Sequence, residues 1–293
     1  MTGDGAPSHT ALMALDLSLV GKESTPSSFT YAWKDVVLYA LGVGAKKDEL
    51  DFLYEGRGPK VIPSFAVVPM FASMFELVGL TGGDLSMVVH GAQRVRLQAM
   101  LPPSGTLLTT AKVRGMYDLR RLAVVLVDTV TTDADGKPLF DATSQIIFRG
   151  EGGFGGATPP REDKVAEIPK EVPADFRIEE TTTPEQALLY RLSGDLNPLH
   201  ADPDFAAKVG FNQGPLLHGL CTYGYMVRHV AKGACGGDAT KVTGFEAKFS
   251  KPVWPGDTLV TEGWNVAPGK VALQVSVKER SEAVITGAWA TIA

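Results

Sequence analysis

The chain has 293 residues, of which 44% are apolar and 21% charged, so it is long enough for one large domain or two ordinary ones with a substantial core. Its net charge of −5 lacks the basic footprint of a nucleic-acid binder, and we expect no nucleic-acid partner. A few local Lys and Arg residues can still hold an anionic substrate. The two cysteines, Cys221 and Cys235, favour a reducing compartment over a disulfide framework.

The sequence predicts no secretory signal, membrane-spanning segment or Ser-Lys-Leu address. Residues 1–17 open with small and acidic residues, which is not typical of a secretory signal. The longest apolar region, residues 66–80, is interrupted by proline and polar residues and is predicted to be too short to cross a bilayer. The final Ala-Thr-Ile-Ala is not a Ser-Lys-Leu peroxisomal address. We expect a cytoplasmic protein without a membrane partner, or a peroxisomal one if the source is eukaryotic.

The first half is predicted to contain one apolar helix followed by strands. The helix covers Pro69–Leu80, with proline at its start and Gly79 near its end. The dipeptide Asp135-Gly136 predicts a hairpin turn, because glycine accepts a positive φ. Alternating patterns predict strands at His90–Met100, Thr106–Tyr117, Leu119–Thr132 and Lys137–Phe148.

A stretch of different composition separates the two halves. Between Gly150 and Thr183 the chain has five glycines within seven residues and then four prolines, without apolar periodicity. This composition is typical of a linker. We therefore predict an N-terminal repeat over residues 1–150, a linker over 151–183 and a C-terminal repeat over 184–293.

The second half follows the same plan as the first. A helix is predicted over Gly219–Lys232, and the turn-then-strand sequence at Pro102–Leu108 has a counterpart at Val253–Leu259. Any α+β protein can show this order by chance, but the matched turn favours a duplicated α+β unit in which a sheet wraps around a helix. The predicted strands of this half are Thr240–Ser250, Asp257–Ala267, Lys270–Lys278 and Ala283–Ile292.

The segment Tyr190–Pro203 carries the most chemical information. A short helix is predicted to begin at Thr183, as N-cap, and to end at Ser193-Gly194. The Asn-Pro dipeptide that follows forces a turn, because a residue before proline avoids helical angles. Asp202, as N-cap, then opens another helix. Three polar side chains are thereby predicted on one short connection: Asp195, Asn197 and His200.

A carboxylate and a neutral imidazole on such a turn can hold one water molecule between them. Asp195 and His200 would each accept a hydrogen bond from it, which is general base catalysis worth roughly 10²–10⁴-fold. The amide of Asn197 can orient either partner or a substrate carbonyl. By spacing alone the alternative is an N-cap and a surface histidine.

A second candidate group lies at the start of the second-half helix. The Gly219 N–H is predicted to be one of the unpaired donors of the first turn, at the positive end of the helix dipole, where it can hold a thioester oxygen. For His218 the alternatives are a substrate contact or a packed, capping histidine. His200 and His218 lack the further ligands of a zinc site, so we expect no metal.

The residues Ser-Gly-Asp-x-Asn-Pro-Leu-His-x-Asp-Pro, followed by Leu-His-Gly, resemble the hydratase 2 motif of the MaoC-like (R)-specific enoyl-CoA hydratases. Further likeness is found at Lys34–Gly44, Val88–Arg94 and Gly152–Gly156. The resemblance implies a double hotdog fold and a homodimer. It also implies an acyl-CoA substrate, and no cofactor besides the coenzyme A that is part of it.

By the same resemblance, Asp195 and His200 activate the water, Asn197 matches the motif asparagine and Gly219 binds the thioester. The first half lacks the pair and is expected to hold the acyl chain, so one site per chain and a (3R)-hydroxyacyl-CoA product follow. Lys248 and Lys251 are candidates for the coenzyme phosphates, with ordinary surface lysines as the alternative. Two rival functions remain: a hotdog thioesterase and a non-catalytic acyl-CoA binding protein.

Overall fold

A computed structural model describes residues 15–160 and 165–293. The predictions for the N-terminal segment and for part of the linker therefore lie outside the described residues. Six α-helices occur in the described ranges, joined by short 3-10 turns. The helices are α1 Trp33–Gly42, α2 Leu50–Leu53, α3 Phe71–Leu80, α4 Gln186–Tyr190, α5 Pro203–Lys208 and α6 Gly219–Ala234.

Within residues 15–160 and 165–293, ten strands form one antiparallel sheet in the order β1-β3-β4-β5-β2-β7-β10-β9-β8-β6. Each of the eight predicted strands is present, with ends that differ by three residues or fewer. The strands are β1 Ser27–Tyr31, β2 Val88–Leu97, β3 Gly105–Asp118, β4 Leu122–Asp133, β5 Pro138–Arg149, β6 Phe176–Thr181, β7 Val242–Phe249, β8 Thr258–Ala267, β9 Lys270–Val277 and β10 Glu282–Ile292.

The sheet consists of two copies of one five-stranded arrangement. Strands β1 to β5 follow the order 1-3-4-5-2, and strands β6 to β10 follow the same order when the count restarts at β6. The edge pairs match in detail: Thr30 and Thr106 approach to 2.9 Å through their hydroxyls, as do Thr181 and Thr258. In each half one apolar helix, α3 or α6, packs against the sheet, which is the duplicated α+β unit that the sequence predicts.

Both long helices belong to the core. Helix α6 is buried on all sides from Leu220 to Ala231, as expected for the central helix of a wrapped sheet. In the first half, the apolar stretch was predicted to be too short to cross a membrane. By length and composition alone, however, Pro63–Leu80 is long and apolar enough to do so. It is 61% buried inside the protein, as in a core helix, and it is divided into a 3-10 turn and α3.

Parts of the structure differ from the sequence prediction. The expected linker contains β6, which pairs with β8 along its whole length. Its exposed alternate residues are Arg177, Glu179 and Thr181, and a second glutamate, Glu180, takes one of the inward positions, so the apolar alternation that marks a strand is weak. Thr183 does not cap α4, whose N-cap is Glu185, because residues 183–186 first form a turn. Strand β1 and helix α1 were not predicted.

The two halves meet along the pair β2–β7 and around the end of α1. Strands β2 and β7 pair over five residues, from Ala92 opposite Lys248 onward. The last carbonyls of α1, which have no acceptor role inside the helix, accept hydrogen bonds from the other half. Gln186 Nε2 donates to the Gly42 carbonyl at 2.7 Å, and Cys221 Sγ to the same oxygen at 3.2 Å. The first half therefore buries its helix end against the second.

Candidate active site

The turn between α4 and α5 places the predicted pair. Gly194 has a φ of +129°, which a residue with a side chain rarely adopts, and it ends the helix just before Asp195. The Asp195 carboxylate accepts the Asn197 N–H at 3.2 Å, and the Asn197 Oδ1 accepts the Leu199 N–H at 3.0 Å. The asparagine oxygen is thus engaged in capping the turn, and its NH₂ group is left for other partners.

A backbone carbonyl determines which nitrogen of His200 carries the proton. The Nδ1 atom lies 2.9 Å from the Leu216 carbonyl oxygen, and a carbonyl can only accept. Nδ1 therefore donates, so in the neutral ring Nε2 carries the lone pair. That leaves Nε2 as the basic atom, as a general base requires.

His218 lies directly against His200. Their rings stack with centroids 3.7 Å apart and planes 24° from parallel. His218 Nε2 donates to the Asp195 backbone carbonyl at 3.1 Å, and its buried Nδ1 has no hydrogen-bond partner among the described residues. Only 1% of this side chain is exposed, so packing is a clear part of its role. It supports the backbone at Asp195 and one face of the His200 ring.

Burial sets the protonation of these groups. It lowers the pKa of His200 below its usual 6.5, although the Asp195 charge opposes the change. It also raises the pKa of Asp195 above its usual 3.8, which the nearby His200 counteracts. Burial, followed by the His200 charge, lowers the pKa of His218 to about 2. Both histidines are therefore neutral at physiological pH.

Gly219 is the first residue of α6, a helix of 16 residues. Its N–H makes no backbone hydrogen bond in the described part of the chain, as expected for a first-turn donor. A side chain at this position would bring its Cβ to 3.2 Å from the Phe249 ring, so glycine allows the close packing. The N–H at the positive end of the helix dipole is a suitable donor to a developing oxyanion.

These groups line one cavity of about 320 Å³. Of the predicted site residues, Lys251 lines this cavity and forms an ion pair with Glu282 at 3.6 Å, whereas Lys248 does not line it. The others are brought together there: Asp195, Asn197, His200, His218 and Gly219.

The first half supplies an apolar part of the same cavity. The contributing side chains come from α3, β2, β5 and the turn before β2, and are Phe71, Phe75, Leu85, Val88, Val89, Ile146 and Ile147. One polar residue among them, His90, was not predicted as a site residue, although it is one of only five histidines in the chain. A second cavity of about 480 Å³ also borders His200.

Asp195, His200 and His218 each offer an atom within 4.8 Å of the others, which is close enough to hold a metal ion. One nitrogen of each imidazole is already committed to a backbone carbonyl, so each ring has a single nitrogen left. The expectation that no metal is bound stays a prediction.

Comparisons with known proteins agree with this architecture. Residues 165–288 match the MaoC like domain and residues 29–150 the MFE-2 hydratase 2 N-terminal domain. The chain is 37% identical to a peroxisomal enoyl-CoA hydratase 2 of Arabidopsis thaliana, over 92% of this chain and 93% of the relative.

Solved structures give the fold independently. A MaoC-like dehydratase from Phytophthora capsici superposes with a TM-score of 0.84 at 33% identity, over 95% of this chain and 98% of that one. A Mycobacterium tuberculosis protein described as a double hotdog fold superposes with a TM-score of 0.61 at 14% identity, over 93% and 95%. The expected double hotdog fold is confirmed. The chain belongs to the MaoC-like dehydratase family and is an enzyme of that kind.

Proposed function

We propose that the protein is an (R)-specific 2-enoyl-CoA hydratase, which adds water reversibly to a trans-2-enoyl-CoA. The observation that carries the proposal is the state of His200. Its Nδ1–H is fixed on the Leu216 carbonyl, which leaves a basic Nε2 in the cavity that Asp195 and the start of α6 also line. The Arabidopsis relative, named as an enoyl-CoA hydratase 2, supports this substrate class.

In the proposed reaction, the thioester oxygen accepts a hydrogen bond from the Gly219 N–H. Asp195 and His200 hold one water, and its oxygen attacks C3 of the double bond as a proton passes to this pair. Negative charge develops on the thioester oxygen, where the helix N-terminus stabilises it. The pair then returns a proton to C2, which gives the (3R)-hydroxyacyl-CoA. No cofactor is needed, because the bound water and the substrate supply every atom.

The apolar wall from the first half is the proposed place for the acyl chain. Phe71, Phe75 and Leu85 offer it only hydrocarbon surface, and burial of such surface stabilises binding by about 25 cal/mol per Å². Two of these side chains, Phe75 and Leu85, are 40% and 52% exposed, so the wall is not sealed at this end. A medium or long acyl chain therefore fits the proposal.

The deciding experiment follows two signals in parallel over a panel of enoyl-CoA esters. Loss of absorbance from the conjugated double bond reports hydration, and release of free thiol reports hydrolysis. We expect hydration without thiol release, and a (3R) product by chiral chromatography. Thiol release without hydration would support the thioesterase, binding without either signal would support an acyl-CoA binding protein, and a (3S) product would contradict the assignment.

Lys251 and Lys248 are proposed to meet the coenzyme phosphates. Only Lys251 lines the cavity, and 56% of its side chain is exposed. We expect Lys251→Ala to raise KM at low salt, with a smaller effect at high salt, because exposed charges are screened. Lys248→Ala, on β7 three residues before Lys251 and outside the cavity wall, is measured in parallel. An unchanged KM in the Lys251 variant at both salt concentrations would exclude this lysine from phosphate binding.

The location in the cell is also a proposal. The Arabidopsis relative is named as peroxisomal, which supports a peroxisomal location if the source is eukaryotic. For any other source we propose the cytoplasm.

A further inference from the structure

Gln186 is a buried polar residue to which the proposed reaction gives no role. It is the first residue of α4, the helix that leads into the turn carrying Asp195 and His200, and only 2% of it is exposed. It does not line the active-site cavity. Because burying an amide costs free energy unless its atoms are hydrogen-bonded, the partners of this side chain determine what it does for the structure.

The side-chain amide of Gln186 connects three helices. Its Nε2 donates to the Leu41 carbonyl at 3.2 Å and to the Gly42 carbonyl at 2.7 Å, at the end of α1 in the first half. Its Oε1 accepts the hydroxyl of Tyr225 on α6 at 2.9 Å, and longer bonds from Thr183 at 3.4 and 3.5 Å. Carbonyls can only accept, so the NH₂ group must face α1. Both of its donors are used there, which leaves none for a ligand.

The other end of α4 also lies against α1, and from there aromatic rings lead to the proposed base. A Cβ on Gly42 would lie 3.3 Å from the Tyr190 Cα, so the two helices are in close contact. The Tyr190 ring packs against that of Tyr39 on α1, with centroids 5.9 Å apart, and against that of His218 at 4.9 Å. His218 in turn stacks on His200. The position of α4 on α1 therefore bears on the ring that supports His200.

We propose that Gln186 is a positioning residue, through which the half of the chain that lacks the Asp–His pair holds Asp195 in its working place beside His200. This inference rests on the proposed function. Asp195 follows the last residue of α4 by five positions, so it moves with that helix, whereas the Nδ1 of His200 is fixed on Leu216, beyond α5. Loss of the Gln186 anchor would therefore change the geometry around the water that the two residues hold. Misplacement of a reacting group by about 1 Å can lower a rate roughly 10²-fold.

The test compares kcat for hydration per binding site in three variants. Gln186→Met has a similar volume but no hydrogen-bonding group, and Gln186→Glu keeps the acceptor for Tyr225 but replaces the NH₂ group that faces α1. Thr261→Val is the control, because it removes a buried hydrogen bond of 2.7 Å to His229, outside the cavity wall. Calorimetry with a saturated acyl-CoA counts the binding sites and gives their affinity, and denaturant titration gives the stability of each variant.

We expect Gln186→Met to lower kcat per site roughly 10²-fold, with an affinity for the saturated ester within about twofold of the parent. Thr261→Val should lose stability but keep the parent kcat per site. In Gln186→Glu, kcat per site relative to the parent should rise as the pH falls from 9 to 7. The reason is that the buried carboxylate takes up a proton, stops repelling the α1 carbonyls and can donate to one of them. A role in folding alone would give no such rise, since the rate is counted per site.

A parent-like kcat per site in Gln186→Met overturns the inference, and so does an equal loss of kcat in Thr261→Val. If Gln186→Met does not fold, the Gln186→Glu variant decides, because a rising ratio supports the inference and a flat ratio overturns it. A parent that binds the saturated ester but hydrates no enoyl-CoA would contradict the proposed function, and this inference with it.

Discussion

In both Asp195 and His200, one polar atom is hydrogen-bonded to the backbone and another is left for the reaction. Nδ1 of His200 is held by a carbonyl, and one carboxylate oxygen of Asp195 accepts a backbone N–H. The atoms left without such a backbone partner are Nε2 of His200 and the other carboxylate oxygen of Asp195. A base in which one atom is fixed by the backbone keeps its orientation without substrate, which is the pre-organisation that a catalytic turn needs.

The first prediction concerns the pair itself. Asp195→Asn and His200→Gln are each expected to lower kcat for hydration by roughly 10²–10⁴-fold, because both residues hold the same water. The double variant should be little worse than the poorer single variant, since residues that act as a unit are not additive. Asp204→Asn, an exposed acid on the next helix, is the control. Near-normal turnover in either single variant would contradict the assignment.

The second prediction concerns pH. Both groups are expected to act in their deprotonated forms, so the rate should fall as pH falls. Burial lowers the pKa of His200 from 6.5 and raises the pKa of Asp195 from 3.8, so the acid limb of kcat/KM should have its midpoint between these two values. Initial rates across pH 3.5–8 measure it, over the range in which unfolding controls show the fold intact. A midpoint above 6.5 would contradict control of the acid limb by His200.

At the scale of elements, α6 and α1 pack so closely that glycine is required between them. A Cβ on Gly224 would lie 2.3 Å from the Val43 Cγ1, whereas a Cβ on Gly79 of α3 meets nothing within 4 Å. Replacing glycine by alanine in a helix normally stabilises by about 0.8–1.0 kcal/mol. We therefore expect Gly79→Ala to raise the free energy of unfolding and Gly224→Ala to lower it. Denaturant titration measures both free energies of unfolding. If both variants were stabilised, or both destabilised, the close packing of Gly224 against Val43 would be contradicted.

A buried arginine on the same helix holds three elements together. Arg228, 2% exposed, donates to the Val43 carbonyl at 3.1 Å, to Glu49 at 2.6 Å and to Glu180 of β6. Burial raises the pKa of Glu180, but the hydrogen bond from His229 and the Arg228 charge outweigh burial and bring this pKa down to about 2. Glu180 therefore stays ionised in the folded protein.

The fourth prediction follows from that ion pair. Arg228→Met keeps the volume but removes the buried cation that Glu49 and Glu180 share, leaving Glu180 only the partly exposed Lys46 at 3.1 Å. We expect it to lower the free energy of unfolding by about 3–5 kcal/mol at pH 7. Below pH 4.5, where an unfolded glutamate takes up a proton, the parent should itself lose stability as the pH falls towards 2. Lys232→Ala, exposed near the end of α6, should change stability by less than about 0.5 kcal/mol. An equal loss of stability in Arg228→Met and Lys232→Ala would contradict a stabilising role for the Arg228 ion pairs.

How far the sequence could predict these elements depends on the range of the forces involved. Capping and proline rules are local, and they placed Asp195 and His200 on one turn and the N-cap of α5 at Asp202, which accepts the Asp204 N–H at 2.9 Å. The edge strands β1 and β6 were missed because they are short, with weak apolar alternation, and only their pairing with distant strands reveals them. The position of His90 in the cavity wall and the burial of Arg228 depend on which elements meet, which no local pattern reveals.

At the scale of the whole molecule, the fifth prediction is a homodimer. It rests on the family resemblance, which is an analogy. Multi-angle light scattering at micromolar concentration should give twice the chain mass of 31.2 kDa. A mass equal to one chain would count against it.

The pairing of β2 with β7 has a consequence for how the gene could be divided. A break between β5 and β6 would separate two polypeptides, each with a newly open strand edge at the former centre of the sheet. Open edges recruit other strands, so each fragment alone is expected to aggregate. Produced together, the fragments carry matching edges and can complement one another, because the first supplies the carbonyls of α1 and the second the side chains that meet them.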